Sequence, residues 1–163
     1  MGPKDVIRQS LDLSTMVISA YIGDLDDADL LIRPIPGMNH IAWQLGHLIS
    51  VERKFMESIK PGASPPLPEG FEENYGREQS TVDDPSKYHS RAKYQELWNA
   101  QHAATLAVLE SLPEAELDKA DPEKFPEFAP TAGAVLNMCS MHPMMHCGQF
   151  VAVRRLRGKP IVI

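Results

Sequence analysis

The sequence predicts an all-α fold, a four-helix bundle with long crossover loops, in one domain over residues 1–163. Three observations carry this. Four stretches repeat apolar residues at helical spacing, and none alternates apolar and polar residues as a half-buried strand does. Two long proline-rich segments set the last two helical stretches apart from what precedes them. The chain has 163 residues, 43% hydrophobic and 23% charged, which suits one globular domain with a core that needs no disulfides.

The first helix is expected from about Asp5 to Ile22, with Val6, Leu13, Val17, Ala20 and Tyr21 on its apolar face. "RPIPGMN" forbids a regular helix, and Asn39 is a plausible cap for the second, about His40 to Ile59. Ile41, Leu45, Leu48, Val51 and Phe55 make its apolar stripe, beside a polar stripe of His40, Gln44 and His47. Residues 61–86 carry five prolines and three glycines, so they read as a long connection. Asp84 or Ser86 could open the third helix, running to about Leu112 with Tyr94, Leu97, Trp98, Ala104, Thr105, Val108 and Leu109 inward. After the acidic, proline-rich segment 113–130, Thr131 caps the last helix, which ends near Gly158 with Pro160 beyond it. Val135, Met138, Met145, Val151, Val153 and Leu156 give it apolar surface. No internal repeat of fixed period is present.

Composition excludes several classes of function. A net charge of −6 gives no basic footprint for nucleic acid. The "RRLRGK" end is short, and cations at a helix C-terminus are explained by the helix dipole. No apolar run is long enough to span a membrane, and "MGPKDVIRQS" lacks a secretory signal core. The two cysteines, Cys139 and Cys147, lie about 12 Å apart along one helix, too far for a disulfide. A reduced, cytoplasmic protein is the expectation.

The chemistry concentrates in "SMHPMMHCGQF", residues 140–150. His142 and His146 are four apart, and on a helix their rings reach one point. His47 stands on another helix in an apolar setting and could supply a third nitrogen. Three neutral imidazoles with an open fourth position make the catalytic pattern for zinc. Spacing alone leaves a second reading open, in which the histidines bridge helices by hydrogen bonds. Gln149, three after His146, and Gln44, three before His47, are candidates for orienting a bound water or a ligand ring; a helix-bridging amide is the alternative for each. His40 suits solvent or a cap, and His89 is expected to be exposed. His102 is undecided. Cys139 and Cys147 read as small apolar residues and the methionines as flexible core filler. Glu52, five after His47, falls off the ligand face and is not nominated as a base. Pro143 sits between the two paired histidines, so the helix is expected to kink or restart there and to re-aim His142.

"NHIAWQLGHLISVERKF" and "HPMMHCGQFVAVRRLRGKP" resemble the DinB/YfiT-like superfamily of metal-dependent proteins, and the resemblance covers nearly the whole chain. It implies a DinB/YfiT-like four-helix bundle with long crossovers. It also implies a metal, zinc or nickel first and iron or manganese next, held by one histidine of the second helix and two of the last. Carried onto this sequence, the ligands are His47, His142 and His146.

The expected function is a divalent-metal-dependent enzyme on a small-molecule substrate, either a hydrolase or a transferase using a low-molecular-weight thiol cosubstrate. The alternative is a non-catalytic module binding a metal and a small ligand. No Glu-x-x-His pair supports a di-iron carboxylate bundle, and no His-Glu-x-x-His zincin motif is present. A homodimer is expected from the resemblance and from the apolar tail "PIVI".

Overall fold

The structure is a computed structural model and describes residues 1–162; Ile163, the end of the apolar tail, lies outside the described residues. Four long helices form the bundle: α1 (Pro3–Ile22), α2 (Ile41–Ile59), α4 (Arg91–Ser111) and α5 (Ala132–Leu156). A one-turn helix, α3 (Phe71–Asn74), sits in the long connection and packs on α2. Among the described residues the only β pairing is an isolated bridge between Ala120 and Thr131.

The start of each helix follows from a local donor or acceptor. Pro3 occupies the first turn of α1, where its missing N–H costs nothing. α2 is capped by His40, not by Asn39: the His40 Nδ1 accepts from the Trp43 N–H at 3.0 Å. α4 starts later than Asp84 or Ser86, with Ser90 accepting from the Lys93 N–H. Asp84 instead caps the short turn Pro85–Lys87. Thr131 caps α5 as expected, accepting from the Ala134 N–H at 3.1 Å. Gly158, at φ +65°, ends the last helix in the left-handed region that glycine tolerates.

The packing pairs define the wiring. α1 packs on α5 and α4, while α2 packs on α4 and α5. α1 and α2, consecutive in the chain, therefore face each other across the bundle, as do α4 and α5. The connections 23–40 and 112–131 run diagonally, which is why they are long.

The core is in two parts. One apolar cluster gathers Ile18, Ile41, Leu45, Ile49, Trp98 and Phe150. The other gathers Leu11, Met56, Val108, Leu109, Val135 and Leu136. Between them every long helix contributes buried polar side chains: Ser14 from α1, Ser50 and Glu52 from α2, Gln101 and Thr105 from α4, Ser140 from α5. The expected apolar faces need two corrections. Val6 and Leu13 are about half exposed, because α1 turns Leu11, Ser14, Ile18 and Tyr21 inward. Met145 and Leu156 of α5 also point outward; Leu136, Cys139, Cys147 and Phe150 take the inner positions beside Val135 and Val153.

Candidate metal centre

α5 runs without interruption through Pro143 and does not restart there. It therefore presents His142 and His146 one turn apart, and α2 presents His47 opposite them. The His47 ring lies 5.3 Å from that of His142 and 5.7 Å from that of His146, centre to centre. One nitrogen from each ring falls within 4.8 Å of the other two. His47 and His142 are half-buried and His146 is buried, so the cluster is recessed but reachable from solvent.

Hydrogen bonds fix which nitrogens face inward. The Gln44 amide donates to the Asn39 carbonyl at 2.7 Å. Its oxygen is thereby turned to His146 Nδ1, 2.7 Å away. An amide oxygen only accepts, so Nδ1 carries the proton and His146 Nε2 carries a lone pair. That lone pair meets His142 Nε2 at 3.1 Å. Two ring nitrogens this close need a positive centre between them, either a proton on one or a shared cation. The Tyr75 backbone lies near the His47 ring and favours its protonated form, and the ring stacks on Trp43 at 4.8 Å with an 11° tilt. Trp43 is held in turn by its indole N–H on the Gly76 carbonyl. His146 thus has an acceptor behind it, the arrangement that orients a metal-ligating imidazole, and His47 is held by its stack on Trp43.

Electrostatics suit the same use. Burial, then the neighbouring histidine charges, hold His146 down to about 3. Burial and His47 hold His142 down to about 4. Burial also lowers His47. All three rings are neutral at neutral pH, and neutral imidazole is the ligating form. The donor set therefore fits a divalent ion such as zinc, nickel or iron.

A family model described as the DinB superfamily matches residues 10–150. The chain belongs to the DinB superfamily. Two solved structures share its fold. One is a conserved protein from Enterococcus faecalis, 18% identical, with a TM-score of 0.69 over 98% of this chain and 99% of that one. The other is YfiT from Bacillus subtilis, described as a probable metal-dependent hydrolase with an unusual four-helix bundle topology; it is 17% identical, with a TM-score of 0.65 over 96% of this chain and 89% of that one. At these identities the likeness is one of fold. No curated protein matches the chain.

Within this DinB-superfamily fold, the other sequence candidates separate clearly. Gln44 joins the cluster as a buried side chain hydrogen-bonded to His146. Gln149 is half-buried and, among the described residues, hydrogen-bonds none of the three histidines. His40 is a fully buried cap. His102 turns to Asp12 and Thr15 on α1, away from the cluster. His89 is not fully exposed; its ring stacks on Phe71 at 5.6 Å. Cys139 and Cys147 are buried and free, and burial pushes both thiols up, Cys147 to about 12. No helix among the described residues is long and apolar enough to cross a membrane.

Sequence reading missed two groups. The Tyr75 backbone belongs to the long connection, and no side-chain pattern marks a backbone neighbour. Glu52 is buried, accepts from the Thr105 hydroxyl at 2.5 Å, and lines a narrow cleft that His142 also lines. Its distance from His47 along α2 gave no sign of this.

Proposed function

We propose that the protein is a divalent-metal-dependent enzyme acting on a small-molecule substrate, a hydrolase or a low-molecular-weight-thiol transferase, with His47, His142 and His146 as its metal ligands. The observation that carries this reading is the 3.1 Å approach of His142 Nε2 to the lone pair of His146, with Gln44 fixing the tautomer. Zinc and nickel are the first candidates; iron and manganese follow. Three protein ligands leave a coordination position open, and a divalent ion there polarises a water or a thiol and lowers its pKa.

The chain's own residues supply orientation. Gln44 holds the proton of His146 on Nδ1, and the Trp43 stack holds the His47 ring in place. The Trp43 ring covers one face of His47 and shields it from water. Gln149, one turn beyond His146, is available to orient an entering ligand. No carboxylate among the described residues hydrogen-bonds any of the three rings, so the ion itself must do most of the acidifying. A thiol, already more acidic than water, asks less of it. The description of YfiT as a probable metal-dependent hydrolase supports the hydrolytic form. Association of two copies is part of the reading, supported by the half-exposed Leu13, Met141 and Met145 and tested by sedimentation.

The deciding experiment is the metal content of protein purified without a nickel column, on the wild type and on His47→Ala, His142→Ala and His146→Ala. Near-stoichiometric metal in the wild type and its loss in all three variants is the expected result. A folded wild type that takes up no zinc, nickel or iron would return the histidines to a hydrogen-bonding role. A substrate screen with and without thiols then separates transfer from hydrolysis; tight metal and ligand binding without turnover would favour a binding module.

A further inference from the structure

The polar layer holds one ionisable side chain that the site as described leaves unused. Glu52 is 5% exposed, and among the described residues no lysine or arginine pairs with it. A buried carboxyl with one hydroxyl donor is a costly way to fill a core position. A leucine or glutamine would fill it more cheaply, so the carboxyl calls for a use. Its cleft supplies one. Leu48, Phe55, Met138 and Pro143 make apolar walls, and His142 stands among them. The space holds about one water molecule.

We propose that Glu52 is the proton acceptor of the histidine site, taking the proton of the water or thiol engaged there through a single water in the cleft it shares with His142. The step balances without a co-reactant. The O–H or S–H bond of the nucleophile breaks and its electron pair stays on oxygen or sulfur. The proton passes to the cleft water, which gives one of its own to the Glu52 carboxylate, forming an O–H bond.

Burial raises Glu52 to about 7, and the Thr105 hydroxyl partly offsets that by favouring the charged form. A base in this range both accepts and returns protons near neutral pH. Few other groups compete. Cys139, facing the same cleft from α5, is held protonated by burial and by Glu52 itself. From α4 comes Thr105, while His102 turns to α1. Arg53, next on α2, turns away to the Pro65 carbonyl and to Glu72.

This assignment rests on the three histidines holding a metal, and its test keeps the two claims apart. The Glu52 carboxyl is followed by carbon NMR of glutamate-labelled protein from pH 5 to 9, without metal and loaded with zinc, with Glu52→Gln identifying the resonance. The midpoint is expected to fall by a unit or more on zinc loading. By reciprocity, a one-unit fall makes zinc affinity of the wild type gain about fivefold on that of Glu52→Gln between pH 6 and 8. Thr105→Val removes a bond that favours the carboxylate; it raises the midpoint and moves the affinity profile to higher pH, and it serves if Glu52→Gln does not fold. A midpoint that zinc leaves unmoved, or affinity profiles of wild type and Glu52→Gln that superimpose, would overturn the proposal while the metal site stood. A wild type that binds no zinc would overturn the metal site itself.

Discussion

Gly46→Ala tests how tightly the long connection is pinned to α2. A Cβ at Gly46 would lie 2.2 Å from two carbons of the Tyr75 ring and 2.4 Å from a third. Ordinary contact begins near 3.4 Å, so the ring must retreat by about 1.2 Å, the difference between 3.4 and 2.2 Å. It has little room: Tyr75 is 2% exposed, packs on Phe71 at 4.5 Å, and shares a 2.5 Å hydrogen bond with the Tyr94 hydroxyl. Overpacking of this kind costs about 1–3 kcal/mol. Loss of the tyrosine pair adds about 1 kcal/mol, and the better helix propensity of alanine returns about 1 kcal/mol. The net is a destabilisation of about 1–3 kcal/mol, or a Tm lower by roughly 3–10 °C for a chain of this size. Because Gly46 directly precedes His47 and Tyr75 lies beside that ring, zinc affinity should fall about 10–100-fold in the same variant. Urea denaturation and zinc titration give both numbers. Repeating Gly46→Ala in a Tyr75→Leu background isolates the clash, since the penalty should largely vanish without the ring. A Gly46→Ala protein as stable as the wild type, with unchanged zinc affinity, would refute the reasoning.

Three further outcomes are expected. Gln44→Leu releases the His146 tautomer and lowers zinc affinity about 10–100-fold, read by competition with a chelating dye, while helix content stays unchanged. In metal-free protein Glu52 sits at about 7 when folded against 4.5 otherwise, so the folded state holds an extra proton between those values. Stability therefore falls as pH rises through that window, by about 3 kcal/mol in all, and urea midpoints of Glu52→Gln lack that fall. Arg154→Met breaks a buried guanidinium that bonds the Tyr21 and Pro160 carbonyls and the half-exposed Asp24; calorimetry should show a loss of about 2–3 kcal/mol.

The helices were legible because each needs one apolar face, and the spacing of that face is local information. Their starts were less so. Asn39 and Ser86 are good caps by type, but His40 and Ser90 hold the positions where the chain turns inward. The face of α1 was misread at Val6 and Leu13, since an isolated apolar residue fits the pattern equally well on either side. The pair His142 and His146 could be seen on one helix. That His47 meets them depends on α2 lying against α5, which spacing cannot supply and the family resemblance did. Gln44 was found as a candidate, but its partner, His146, lies 102 positions away. Glu52 falls off the ligand face, and spacing alone does not show that this other face is interior too. α2 packs on both α4 and α5, so nearly every side of it is interior, and Thr105 supplies the partner.

Pro143 has a consequence for how α5 moves. With no N–H at that position, the Cys139 carbonyl loses its helical donor, and the ladder of α5 has a missing rung between its two halves. His142 belongs to the half before the gap and His146 to the half after it. Any ion the two rings share is a splint across the weakest joint of the longest helix. Loading should then slow amide exchange at residues 144–147 more than at either end of α5, making the helix a reporter of its own occupancy.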